Sequence, residues 1–333
     1  MDSPGGPTTP LTWPNVGLAF SFILFDAVVS VTFGLGVGSS LVTAAVRCVL
    51  QLSLLALILD KVFSTNNPWA VAGIAALLNL MGTIETVINK SKKRYTQMFP
   101  SVLLGMLGST IPVSIIGTRF AMSVDPFWKP EQYIPIVGML CGATISGIVI
   151  SVSYVLKELY DNQDKVEMYL AFGASRMEAC KPIAKEALRL ALTPNVNQMS
   201  VIGLISIPGM MTGAILGGSS VEQAARLQMV IMFMISSSTA LSSIVTTVLA
   251  LGVVVDGEHR VRSDRIDSQQ HAIWRARDAA FAKVSKMVKD LTHRTWRKAR
   301  PIFRRGSSSY RSIEEEPANV LDDRGDRERL LPS

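Results

Sequence analysis

The chain has 333 residues, 48% of them hydrophobic and 18% charged, with a formal net charge of +7. The charge is unevenly placed: residues 1–255 hold 28 Lys, Arg, Asp and Glu side chains, whereas the 78 residues after them hold 31. An average soluble domain is about a quarter charged, so the first part is too apolar for a water-soluble globule and the second too polar for its core. A single soluble enzyme domain is excluded, and an all-α membrane body with a hydrophilic tail is expected.

Crossing a hydrocarbon layer about 30 Å thick takes roughly 20 apolar helical residues. Seven segments meet that requirement. The first runs from about Trp13 to Phe33 and carries Asp26 in its middle; residues 1–12 precede it. The second runs from Leu41 to Leu59 and carries Arg47 and Gln51, four residues apart and so on one helix face. The third, Pro68 to Ile88, has Glu85 near its end, and the fourth, Phe99 to Thr118, contains Pro112. The fifth runs from Tyr133 to Leu156. The sixth, Gln198 to Leu216, is interrupted by Pro208, and the seventh runs from Leu227 to Val255.

Loop charge sets the orientation, because Lys and Arg are retained on the cytosolic side. Loops after the third and fifth segments, together with the tail, hold 28 of the 33 Lys and Arg residues. The opposite side holds Lys61, Arg119, Lys129 and Arg226, and Arg47 lies within a segment. Seven spans with this bias place the N-terminus outside and the C-terminus in the cytosol. No basic stretch precedes the first apolar run, so a cleaved secretory signal is not expected.

Cysteine and histidine usage narrows the chemistry further. Cys48, Cys141 and Cys180 form no CxxC pair, and His259, His271 and His293 all fall in the tail, so no His-based metal site is expected in the membrane body. Within the basic segment 256–305, Ile273, Phe281, Val284, Val288 and Leu291 recur at helical spacing between Trp274 and Trp296. That pattern reads as an amphipathic helix on an anionic inner-leaflet surface, or as a solvated helix on a partner. Residues 306–333 turn Ser-rich and then acidic and are expected to be disordered. No nucleic-acid partner is expected.

Between the fifth and sixth segments, residues 157–197 form the largest cytosolic loop. Within it stand Glu167, Met168, Tyr169, Ala171, Phe172, Gly173, Ala174 and Ser175, and Ile183 follows Gly173 after nine intervening residues. Gly173 permits a backbone turn that a side chain resists, and Met168, Tyr169, Ala171 and Phe172 can present an apolar face to a groove. The spacing resembles the EAA loop of ABC-transporter permeases, which docks on the ATPase; the other reading is an ordinary amphipathic linker.

Three longer blocks extend that resemblance: AAVRCVLQLSLLALIL, YIPIVGMLCGATISG, and EMYLAFGASRMEA continuing through ALTPNVNQMSVIGLISIPGMMTGAILGG. Over about residues 15–255 the chain resembles the FetB-like permeases, which include bacterial iron-export permeases and plant aluminium-tolerance membrane subunits. Ala143 stands where that family commonly has Asn. The resemblance implies a transport subunit, present twice in the pump and driven by a separate soluble ATP-binding subunit that carries the ATP and Mg. The chain has no GxxxxGK[ST] phosphate loop, so it binds no nucleotide of its own by that motif and is not expected to be an enzyme.

Polar residues within the spans are the candidates for a substrate path, since placing them in lipid is costly. Arg47 and Gln51 are suited to an anionic group; alternatively Arg47 pairs with Asp26 or Glu85 to join helices. The run Pro208, Gly209, Met210, Met211, Thr212 and Gly213 is a candidate gate or path wall, with Gly217 extending the glycine stripe. Met199, Met229, Met232 and Met234 lie nearby; thioethers suit a soft metal, and they also serve as pliable packing. The metal is left open. The leading reading is metal efflux, iron or another metal. Sugar-nucleotide or anionic-conjugate transport, an ATP-independent carrier and a seven-helix receptor are the alternatives.

Overall fold

A computed structural model describes residues 12–65, 67–91, 93–255, 262 and 266–267. Among the described residues the chain is a helical membrane bundle of nine α-helices: α1 Trp13–Thr32, α2 Gly38–Thr65, α3 Pro68–Ile84, α4 Met98–Ile116, α5 Pro130–Asp161, α6 Gln163–Ala171, α7 Arg176–Val201, α8 Gly209–Leu216 and α9 Val221–Val254. Single π-helical turns, Glu85–Lys90 and Gly117–Ala121, extend α3 and α4. A two-residue strand β1, Arg94–Tyr95, pairs antiparallel with β2, Ile266–Asp267. The tail segments expected to be amphipathic or disordered lie outside the described residues, as does nearly all of the segment before α1.

Local chemistry fixes several helix starts. Pro68 occupies the first turn of α3, where its missing N–H costs nothing, and the Asn67 side chain accepts from the Trp69 N–H at 3.0 Å. Pro130 opens α5 in the same way. Ser220 caps α9, its hydroxyl accepting from the Gln223 N–H at 3.3 Å. Pro112 and Pro135 lie inside α4 and α5 without ending them, a tolerance that neighbouring helices supply in membranes.

Six helices are long and apolar enough to cross a membrane: Trp13–Thr32, Gly38–Leu59, Pro68–Lys90, Met98–Ala121, Pro130–Asp161 and Val221–Val254. The seventh expected span is not one helix. Where the sequence places Gln198 to Leu216, α7 ends at Val201, the chain runs non-helical to Pro208, and only Gly209–Leu216 is helical again. The eight residues of α8 reach about 12 Å, far short of a crossing. The break begins well before Pro208: the N–H groups of Leu204, Ile205 and Ser206 all turn back to the Val201 carbonyl.

The core is built by α3, α4, α5 and α9, which touch through small residues. A Cβ placed on Gly105 would lie 2.5 Å from Thr246 Cγ2, and one on Gly147 would lie 2.5 Å from Thr239 Cγ2, so glycine is what lets α4 and α5 approach α9. With the further contacts Gly117–Met234 and Thr144–Ser238, α9 runs antiparallel to α4 and parallel to α5. Several buried polar groups are paired within the core: Thr110 donates to the Asn79 side-chain amide oxygen at 2.7 Å, Asn79 donates to the Ala75 carbonyl at 2.9 Å, and Ser114 meets the Tyr133 hydroxyl at 3.0 Å. The α1–α2 hairpin is different in kind. Ser30 is the single buried residue of α1, and the apolar stretch of α2 buries none.

Candidate functional site

The expected docking loop is a helix, a turn and a second helix. The turn closes α6 in a Schellman motif: the Gly173 N–H donates to the Leu170 carbonyl at 3.0 Å and the Ala174 N–H to the Tyr169 carbonyl at 3.1 Å. Gly173 sits at φ +90°, a conformation that a side chain strains although no atom lies within 4 Å of where a Cβ would be. Backbone geometry, not space, therefore demands glycine there.

Immediately after the turn, Ser175 and Glu178 form a capping box for α7. The Ser175 hydroxyl and backbone N–H donate to Glu178 Oε2 at 2.6 and 2.9 Å, and the same hydroxyl accepts from the Glu178 N–H at 3.4 Å. Hydrogen bonds from Ser175 hold the Glu178 carboxyl below its ordinary value. Two helices are thus joined by a four-residue hinge with every turn of the backbone bonded.

One side of this unit is anchored and the other is bare. Val166 and Leu170 of α6 and Ala179 and Cys180 of α7 are buried in one cluster with Leu159, Tyr95, Val254 and Val255. Burial pushes the Cys180 thiol up to about 11, so it is an inert packing group. Arg176 Nη1 reaches the Val255 carbonyl at 3.5 Å, tying the start of α7 to the end of α9. Outward, Phe172 is 84% exposed, and Met168, Tyr169 and Met177 are each more than half exposed; Ala171 is exposed beside them. Glu167 is held by the Gln163 amide on its own helix at 2.7 Å. Ala174 and Ile183 face inward against the core, so Ile183 positions the knob rather than forming its outer surface.

The membrane candidates divide into one tight pair and several separate groups. Arg47 forks onto Glu85, Nη1 to Oε1 at 3.1 Å and Nη2 to Oε2 at 2.5 Å, joining α2 to the π-helical turn after α3. Asn89 donates to the same Glu85 carboxylate. Two parallel N–H···O bonds are the strongest arrangement available to this pair. Of the two acids open to Arg47, Glu85 is the partner; Asp26 is exposed on α1, and Gln51 is exposed one turn beyond Arg47 on α2. Of these four residues, Arg47 and Glu85 are the pair bonded to each other.

Pro208 precedes α8 with extended backbone. Gly209, Thr212 and Gly213 are exposed, Met210 and Met211 are half-buried, and the Thr212 hydroxyl donates to the Pro208 carbonyl at 3.2 Å. A Cβ on Gly209 or Gly213 would meet nothing within 4 Å, so no other helix of the described chain lies on that stripe. The neighbouring methionines pack: Met232 and Met234 are buried, with Met234 against Gly117, and Met199 accepts from the Ser236 hydroxyl at 3.5 Å. Met229 is exposed. No group of three or more His, Cys, Asp or Glu side chains is placed to hold a metal among the described residues.

Residues 13–253 match the family described as "Uncharacterised protein family (UPF0014)". The chain belongs to this family. It is 32% identical over 240 residues to a UPF0014 membrane protein of Synechocystis, covering 71% of this chain and 91% of that one. It is 28% identical over 232 residues to the protein ALUMINUM SENSITIVE 3 of Arabidopsis thaliana, covering 69% and 83%. It is 23% identical over 251 residues to the Escherichia coli protein named "Probable iron export permease protein FetB", covering 75% and 95%. No solved structure matches. The FetB-like resemblance read from the sequence is thus a family relationship, and the chain is an integral, multi-pass, permease-like membrane protein.

Sequence reasoning placed the glycine turn but missed the capping box, although Ser175-x-x-Glu178 is its ordinary signature. It also missed that α7 runs unbroken from the knob for 26 residues, and that the core's buried serines and threonines form a seam.

Proposed function

We propose that this protein is the membrane subunit of an ABC-type exporter that moves metal ions and is driven by a separate ATP-binding subunit. The observation that carries this reading is the knob: an apolar tip, Phe172 with Met168 and Tyr169, presented by a short helix whose other face is anchored in the bundle. A large aromatic left 84% exposed on a rigid support is what a groove on a partner accepts. In this reading the knob and the tail lie in the cytosol with the N-terminus outside, as the Lys and Arg bias of the loops supports. Two copies of the chain and two ATP-binding subunits make the pump, and the basic tail rests on anionic lipid. The names of the relatives, iron export for one and aluminium sensitivity for another, support metal as the cargo class. ATP and Mg belong to the partner, and the chain itself carries out no catalysis.

Mechanically, the motor's movement enters at Phe172 and passes through the hinge Phe172–Ser175, bonded to Glu178, into α7, which packs on α5 and α9. The test is co-purification from native membranes. The wild-type chain brings down a soluble ATP-binding protein. Phe172→Asp, at an exposed position, folds normally, loses that protein and abolishes ATP-dependent release of metal from loaded vesicles. Retention of the partner by Phe172→Asp, or metal flux that persists after ATP depletion, overturns the reading.

A further inference from the structure

α7 is too polar to be recognised as a crossing helix, yet its contacts carry it to the middle of the bundle. Its start is fixed to the end of α9 by the Arg176–Val255 bond, and its end is fixed to the middle of α9 by the Ser236–Met199 bond at 3.5 Å. The two helices are therefore antiparallel along their length, and 26 residues of α7 reach about 39 Å, enough to cross the hydrocarbon layer. Counting between those anchors puts Thr193 level with about Leu241 of α9. The α4–α9 contacts Gly105–Thr246 and Gly117–Met234 put Thr110 at that same level. Thr110 and its partner Asn79 lie at the middle of their own spans, Met98–Ala121 and Pro68–Lys90. Thr193 is thus at mid-depth.

One face of α7 is buried by Ala179, Cys180, Ala187 and Ala191 against its neighbours. The other face carries Arg189, Thr193, Asn197 and Ser200 at steps of three and four, all exposed. Polar groups at that depth face either water or protein. The Thr193 hydroxyl donates its proton to the Arg189 carbonyl at 2.7 Å, and the Ser200 hydroxyl donates to the Val196 carbonyl at 2.9 Å. With their protons committed, both hydroxyls offer only acceptor lone pairs outward. Buried Thr83 and Thr246 bond their own helix in the same way, so it is exposure that leaves the α7 row open to water and a solute. Pro194 lacks the N–H that the Leu190 carbonyl would otherwise bond, which adds another acceptor oxygen nearby. Arg189 is balanced by Glu186 at 3.6 Å toward the cytosolic end.

We infer that the Thr193–Asn197–Ser200 face of α7 lines a water-filled path that carries an oxygen-seeking metal cation across the membrane. The inference rests on the export reading for its cargo, and on the geometry alone for its water. Because α7 begins in the bonded hinge of the knob, the row moves as one rigid piece with the site where the motor docks.

The test is thiol labelling of the full chain in membrane vesicles, in a Cys48→Ser background, with a small membrane-impermeant cationic methanethiosulfonate. Single cysteines are placed at Thr193, at Asn197 and, as an apolar control at similar depth, at Leu77, which is exposed on α3. A charged reagent is strongly disfavoured in hydrocarbon, so Thr193→Cys and Asn197→Cys react at least about tenfold faster than Leu77→Cys. Manganese(II) chloride or aluminium chloride, each alone, slows labelling at Asn197→Cys. Labelling no faster than at Leu77→Cys overturns the path, as does a disulfide between two copies at Asn197→Cys without labelling. Labelling that neither metal slows overturns the cation assignment. None of these outcomes depends on the ATP-binding partner, so this inference and the docking reading fail separately.

Discussion

Two sets of polar side chains stand at the same depth of this bundle and are treated in opposite ways. In the core, Asn79 and Thr110 are fully buried, bonded to each other and to backbone carbonyls, and surrounded by glycine, serine and threonine contacts between α3, α4, α5 and α9. On α7, Thr193 and Asn197 are exposed. A polar residue in a membrane helix is ambiguous in sequence because both uses draw on the same residue types. Burial separates them: the first set is consumed in holding helices together, and the second is left over for something that is not part of the chain.

The sharpest way to break the comparison is to attack the core. Gly147→Leu drives a side chain into Thr239 and Ser243, where even a Cβ would lie 2.5 Å from Thr239 Cγ2. Overpacking a tight contact of this kind costs about 1–3 kcal/mol, and a rigid helix–helix contact lies at the upper end. The expected result is loss of the monodisperse species in detergent, with Gly147→Ala milder and partly rescued by Thr239→Ser. An equally large loss on Asn197→Leu would show that the α7 face is structural too.

Arg47 and Glu85 stand between the two classes: tightly bonded to each other, yet with side chains 45% and 22% exposed. Arg47→Leu leaves the Glu85 carboxylate with Asn89 alone, and an uncompensated charge bonded so closely costs about 2 kcal/mol, between the exposed and buried extremes. If the pair is a helix clamp, Arg47→Leu lowers the melting temperature and the double variant with Glu85→Leu recovers most of the loss while flux persists. Loss of flux in a double variant of restored stability would move the pair to the side of α7.

The sequence made the six apolar crossings readable because each is a run of about 20 apolar residues, and the structure reproduces them with ends shifted by a few residues. It also made the glycine turn of the knob readable, since Gly173 needs its positive φ for a purely local reason. α7 was not readable in the same way. Lys181, Pro182, Lys185, Arg189, Pro194 and Asn197 argue locally for a loop, and helical form there is held by packing on α5 and α9, which no window of sequence contains. One signal was present: Cys180, Ala184, Ala187 and Ala191 recur at helical spacing, a small-residue stripe of the kind that lets helices approach. The partner of Arg47 was equally beyond local reading, because choosing Glu85 over Asp26 depends on how α2 lies against α3. Nothing in the spacing of Pro208 to Gly217 told that the helix stops earlier, at Val201.

The smallest effect tests whether the hinge transmits or merely connects. Ser175→Ala removes a hydroxyl that caps α7 and bonds Glu178, and such a cap is worth about a fivefold change in the local helix equilibrium. If the knob works through a rigid hinge, the variant binds the ATP-binding subunit about fivefold more weakly while the bundle's melting temperature stays unchanged. Acid asks the same question of the wild type. The Glu178 carboxyl is held below its ordinary value of 4.5 by the hydrogen bonds from Ser175, so its contribution is complete above that pH and is lost only as pH falls through the lowered value. Partner binding by the purified complex is therefore flat down to about pH 4.5 with respect to this group and weakens below it. Ser175→Ala, in which only the backbone N–H of Ser175 still bonds the carboxylate, has less to lose, so its acid profile is flatter than that of the wild type. Identical acid profiles for the two proteins would mean that the capping box carries no load, and that α7 receives its motion through the buried contacts of Val166, Leu170 and Cys180 instead.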